Sequence, residues 1–170
     1  MKTVLFLLLF LVGQAYAGSV DELLFRMQQI QDDPEVYKLA VELGAERAVL
    51  CGYCHGKDGN SAKKDVPNLA GQNPKYLLVQ WEAFANKERR NYVMERLAPG
   101  MNDEDRINLA LYYAQKKVKA ADVDKKAPAQ GADLYHSFCF ACHGDEGYGG
   151  DDLPRLAGQS ETYLRNTLMK

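Results

Sequence analysis

The pentad Cys51-Gly52-Tyr53-Cys54-His55 recurs as Cys139-Phe140-Ala141-Cys142-His143, and between them the two copies use every cysteine of the chain. A Cys-x-x-Cys alone is compatible with a disulfide, a thioredoxin-like redox pair or half of a zinc site. Here a His follows immediately both times, and a Gly follows the His both times, at Gly56 and Gly144. Cys-x-x-Cys-His is the attachment pattern of c-type haem. Two thiols one helical turn apart face one edge of a porphyrin and add to its vinyl groups, and the adjacent imidazole turns onto the iron. The expectation is two covalently attached haem c groups, held by Cys51, Cys54, Cys139 and Cys142, with His55 and His143 as iron ligands.

The chain begins with one positive charge, Lys2, then an apolar run from Val4 to Val12, then Ala15-Tyr16-Ala17. These are the marks of a secretory signal peptide over residues 1–17. A membrane-spanning helix needs about 20 apolar residues, so the run is too short to stay in a bilayer, and no later segment approaches that length. Export also fits the pentads, because c-type haem is attached outside the cytoplasm. Loss of Lys2 with the signal takes the net charge from −2 to −3, a balance that argues against a nucleic-acid partner. The roughly 150 remaining residues suffice for one domain or two small ones.

Repetition decides for two. Residues 67–77, Pro-Asn-Leu-Ala-Gly-Gln-Asn-Pro-Lys-Tyr-Leu, return at 154–164 as Pro-Arg-Leu-Ala-Gly-Gln-Ser-Glu-Thr-Tyr-Leu. Gly44 and Gly131 also stand at nearly the same distance before their cysteines. A period this long is beyond a solenoid unit and suits a duplicated haem domain.

Taken together, Cys-x-x-Cys-His-Gly, Pro-x-Leu-Ala-Gly-Gln, Tyr-Leu and a Met ahead of Asp103-Glu104-Asp105 resemble the cytochrome c4 group of dihaem class I cytochromes c, over residues 33–170. The resemblance implies an all-α fold of two tandem class I cytochrome c domains, each wrapped around one haem. It also implies a periplasmic carrier of single electrons between respiratory partners, with a quinol-oxidising complex as donor and a terminal oxidase or other periplasmic protein as acceptor. Pro67 and Pro154 would offer their backbone carbonyls to the rings of His55 and His143. The sulfur ligand of the first haem would be Met94, with Met101 a core contact beside the next helix. The family's second ligand Met would stand beyond Lys170, so the second domain is expected to be incomplete. His136 reads as a surface residue. Two other readings remain: the dihaem subunit of an oxidoreductase such as a sulfide-oxidising flavocytochrome, or a peroxidase-like enzyme if the second iron is open.

The resulting division is a signal over 1–17, an amphipathic extension over 18–32, a first haem domain over 33–114, a Lys- and Ala-rich linker over 115–130 and a second haem domain from 131. Asp33-Pro34 predicts a helix start, with Val36, Leu39, Ala40 and Leu43 at helical spacing up to Cys51. Gly44 inside that helix costs about 1 kcal/mol against Ala, which asks for a packing reason; by resemblance the first and last helices cross there. Pro74 to Asn86 and the stretch after Asn102 predict two more helices, with Tyr112, Tyr113 and the lone Trp81 as core. In the extension, Val20, Leu23, Leu24, Met27 and Ile30 share one face.

Overall fold

In the computed structural model, which describes residues 19–120, 130–150 and 152–169, the chain forms helices α1 (Val20–Asp32), α2 (Pro34–His55), α3 (Pro74–Ala85), α4 (Met94–Leu97), α5 (Asp103–Ala114), α6 (Gln130–Phe138), α7 (Phe140–His143) and α8 (Glu161–Leu168), with a 3-10 turn at Ala98–Gly100 between α4 and α5. The described residues contain no strand, so the class is all-α. The signal segment and the centre of the expected linker, residues 121–129, lie outside the described residues.

Local chemistry starts the long helix where the sequence places it. Asp33 Oδ1 accepts from Glu35 N at 3.0 Å and Val36 N at 3.2 Å, and Pro34 fills a first-turn position whose missing N–H costs nothing. The buried stripe of α2, however, is Ala40, Gly44 and Ala48, while Val36, Leu39 and Leu43 stand largely exposed. The reason is the crossing with α5. A Cβ built on Gly44 would lie 2.2 Å from the carbonyl oxygen of Asn108, so the backbones touch. Small residues let the two helices approach, and larger apolar neighbours are turned outward.

Helix α5 supplies half of the core cluster's buried residues. Ile107, Leu109, Ala110, Leu111, Tyr112 and Tyr113 are all buried. Helix α1 closes the open end of this half: Leu23 and Met27 are fully covered against the same cluster, and Arg26 pairs with Asp103 and Glu104 at the start of α5. The amphipathic extension is thus a cap on the first domain. Burying two such side chains stabilises by about 3–6 kcal/mol in transfer terms.

Arg106 fixes the segment that carries Met94. Its guanidinium, almost wholly buried, bonds Glu82 Oε2 on α3 at 3.1 Å and the carbonyl of Ala98 at 3.3 Å. Ahead of α4, Asn91 Oδ1 accepts from Val93 N and Met94 N, and Glu95 Oε1 accepts from Asn91 N, so the short helix is capped from both directions.

The two repeats face each other through their Leu-Ala-Gly-Gln turns. Val118 sits between them: a Cβ on Gly71 would lie 2.5 Å from Val118 Cγ2, and one on Gly158 would lie 2.5 Å from Val118 Cγ1. Both glycines have positive φ, 59° and 70°. The chain around Val118 is also pinned, with Asn60 Nδ2 donating to Lys117 O at 3.0 Å and Lys119 N donating to Asn60 Oδ1 at 2.9 Å. The start of the expected linker is therefore wedged in the contact between halves instead of running free in solvent. Replacing Gly71 or Gly158 by Ala is expected to cost at least about 1–3 kcal/mol from the left-handed backbone alone, more with the collision. Urea unfolding of the haem-loaded protein measures this.

An ion pair reinforces the same attachment. Lys119 Nζ stands 2.8 Å from Asp58 and, with backbone N–H of Asn60, holds the Asp58 carboxyl down at about 2. The depressed value means that the contribution is complete above the usual carboxylate value and is lost as pH falls through about 2. Both partners are solvent-exposed, so its size is small.

Candidate haem attachment sites

Each pentad closes a helix. In the first, α2 runs unbroken through Cys51, Cys54 and His55 and ends at Gly56, whose φ of 82° lets the chain leave sharply. In the second, α6 breaks at Cys139, α7 carries Phe140–His143, and Gly144, with φ 75°, ends it. None of the four cysteines is paired in a disulfide. A zinc site would need converging ligands, and among the described residues no three His, Cys, Asp or Glu side chains converge as a metal ion would require.

The two imidazoles have matching environments. His55 Nδ1 lies 2.9 Å from the carbonyl oxygen of Pro67, and His143 Nδ1 lies 3.0 Å from that of Pro154. A carbonyl can only accept, so Nδ1 carries the proton in both rings and Nε2 keeps a lone pair. His55 is buried, and burial lowers its pKa, opposed by the bond to Pro67. The ring is therefore held neutral, as a metal ligand must be.

Around the first pentad, burial pushes the Cys51 thiol pKa up, an effect that Tyr113 partly offsets. Burial also raises the Tyr113 phenol strongly, and the neighbouring Cys51 thiol adds to the rise. Tyr112 packs edge-on against Tyr113 at 5.1 Å and donates to Lys57 O at 3.3 Å. Trp81 is half-buried against the core cluster, as is Met101, while Met94 is half-buried at the start of α4. His136 is mostly exposed, 3.9 Å from Asp145.

Large apolar side chains nonetheless stay exposed on the elements that follow each pentad: Val79, Tyr92, Val93 and Leu97 in the first half, Tyr148 and Leu153 in the second. Exposed apolar side chains grouped beside each pentad in the sequence are surface that a bound apolar group would cover. An apolar macrocycle anchored by paired thiols fits the donors and the surface alike. Arg155 adds a further point of fit. It is 1% exposed, and its Nε has no partner among the described residues, a buried donor that a carboxylate on the cofactor's rim would suit.

Sequence reading did not find the contact that joins the two sites. Gln72 and Gln159, each nearly fully buried, reach across to the opposite repeat. Gln159 Oε1 accepts from Asn68 N at 2.9 Å and its Nε2 donates to Asn68 O at 2.7 Å. Gln72 Oε1 accepts from Arg155 N at 2.7 Å and its Nε2 donates to Arg155 O at 3.1 Å. The available signal was the repetition of one amide residue inside an otherwise apolar motif. Arg89 makes a further bridge, donating to the two motif tyrosines, Tyr76 at 3.2 Å and Tyr163 at 2.5 Å.

A helical chain with two Cys-x-x-Cys-His ends, each imidazole set by a proline carbonyl, defines a dihaem class I cytochrome c, which carries two covalently attached haem c groups and transfers single electrons. Comparison with known proteins narrows the class. Cytochrome c4 of Pseudomonas aeruginosa is 34% identical over 135 residues, 74% of this chain and 67% of that protein. The chain belongs to the cytochrome c4 family, and it spans about two thirds of the length of that relative. The crystal structure of reduced recombinant cytochrome c4 from Pseudomonas stutzeri superposes with a TM-score of 0.71 at 29% identity, covering 76% of this chain and 78% of that one. A thiosulfate dehydrogenase electron acceptor of Stutzerimonas stutzeri is 31% identical over 162 residues, 87% of this chain and 74% of that protein. The family described as cytochrome c oxidase, cbb3-type, subunit III matches residues 126–170.

Proposed function

We propose that the protein is an exported, periplasmic dihaem carrier in which Cys51 and Cys54 anchor one haem and Cys139 and Cys142 the other. His55 and His143 are the proximal ligands, and Met94 is the sulfur ligand of the first iron. The haem domains are residues 33–114 and the stretch from 131 onward, joined by 115–130. The reading is carried by the twin bonds from His55 to Pro67 and from His143 to Pro154, each at the end of a pentad helix.

When bound, each haem supplies a one-electron Fe(III)/Fe(II) couple whose potential depends on its axial ligands. The chain's own groups hold that couple in place. The carbonyls of Pro67 and Pro154 accept a hydrogen bond from Nδ1–H, so the rings are held against rotation and in one tautomer. The helix ends present two thiols and an imidazole on one side. Apolar side chains such as Val79 and Leu97 keep water from the centre, and the caps at Asn91 and Arg106 hold the Met94 segment in place. Among the described residues no helix is long and apolar enough to cross a membrane.

Electrons would come from a quinol-oxidising complex and pass to a terminal oxidase or another periplasmic acceptor. Similarity to a thiosulfate dehydrogenase electron acceptor favours a second donor, a periplasmic dehydrogenase, for the same carrier chemistry. Mass spectrometry of protease fragments from the protein of its native periplasm tests the assignment. One haem mass is expected on the fragment with Cys51 and Cys54, and one on the fragment with Cys139 and Cys142. An unmodified pair on either fragment contradicts it.

A further inference from the structure

The peptide unit that accepts the hydrogen bond from His55 is held at both ends. Its carbonyl belongs to Pro67 and its N–H to Asn68, and a peptide unit is planar and rigid. His55 Nδ1 donates to the carbonyl at 2.9 Å, while the N–H donates to Gln159 Oε1 at 2.9 Å, a side chain of the other repeat. In the second half the peptide unit of Pro154 and Arg155 accepts from His143 Nδ1–H at 3.0 Å and donates its N–H to Gln72 Oε1 at 2.7 Å. Each Nε2 then closes a second bond onto the same residue, Asn68 O at 2.7 Å or Arg155 O at 3.1 Å. Both glutamines are nearly inaccessible, 4% and 6% exposed, so no water replaces these bonds.

We propose that Gln72 and Gln159 are crossed positioning residues: each orients and polarises the peptide that holds the other half's haem-ligating histidine, so each repeat tunes the reduction equilibrium of its neighbour. An amide oxygen on the N–H makes the carbonyl of the same peptide a better acceptor, because hydrogen bonds in a chain reinforce one another. A better acceptor strengthens the bond to Nδ1–H and makes the imidazole a stronger donor, which favours Fe(III). Removing the glutamine oxygen therefore favours Fe(II), and does so in the opposite half. The proposal rests on His55 and His143 being iron ligands.

The test uses the full dihaem protein. In the wild type, hydrogen exchange should find the Asn68 and Arg155 amides among the slowest outside the helices; fast exchange at either one overturns the proposal without any variant. Gln159→Met, neutral and of similar length, should raise the reduction equilibrium constant of the haem on His55 by about fivefold, the equivalent of one net hydrogen bond, and move the haem on His143 much less. Gln72→Met should do the reverse. Paramagnetic proton NMR during redox titration, with haem methyls assigned through contacts to their own pentad, reads each haem separately. A shift confined to the variant's own half, an equal shift in both or no shift overturns the proposal. The ligand reading fails independently, if His55→Ala leaves the low-spin spectrum of the first haem intact.

Discussion

Replacing Met94 with Ala is expected to leave the first haem high-spin, with no protein group in the sixth position, and to lower its reduction potential by on the order of 100 mV or more, since axial ligands move haem potentials over about 0.8 V. A thioether stabilises the ferrous state, so its loss leaves the sixth position without a protein ligand and favours Fe(III). Structure around the residue is arranged for one position: Asn91 caps the turn at Met94 N at 3.0 Å, and Arg106 ties the following 3-10 turn to α3. Met101 differs in kind. It packs against the core beside the start of α5, and Met101→Ala is expected to cost about 1–2 kcal/mol of stability, below the range for a fully buried Met, with coordination unchanged. Ferric absorption and magnetic circular dichroism of both variants decide the matter. Iron that stays low-spin in Met94→Ala together with altered coordination in Met101→Ala would reverse the assignment.

The second large effect is on folding. Gly44→Val is expected to abolish stable folding of the first half, because a Cβ there would stand 2.2 Å from Asn108 O and 2.8 Å from Tyr112 Cβ. Backbone cannot move aside as a flexible side chain can, so α2 and α5 must separate and uncover Ile107, Leu111 and Tyr112. The cost exceeds the ~1–3 kcal/mol usual for overpacking. Thermal unfolding of the haem-loaded protein checks it: a variant that melts within a few degrees of wild type would mean that the crossing is not tight.

How far the sequence foretold this arrangement depends on the range of the interaction. The Asp33 cap, the Asn102 start of α5 and the two pentads are local signals, and each lies where its residue chemistry places it. Gly44 was legible as an anomaly whose packing reason the crossing with α5 supplies. The spacing of Val36, Leu39, Ala40 and Leu43 placed the helix but not its buried face: only Ala40 of the four is buried, because close approach of α5 selects small residues. Val118 and the crossed glutamines were out of reach, since they depend on how one repeat is set against the other. The repeat flagged Gln72 and Gln159 as a pair, but only the fold joins each to the other half's proline peptide. Likewise Lys117 and Lys119 belong to a charged stretch that reads as solvated, while their backbone is fastened to Asn60.

The most direct test of the central claim, that this is a two-haem carrier of single electrons, is a spectroelectrochemical titration of the purified protein combined with haem quantitation. Two covalently bound haems per chain and two reversible one-electron steps, both insensitive to peroxide, are the predicted result. One haem per chain, a single step, or peroxide turnover at either centre would contradict it.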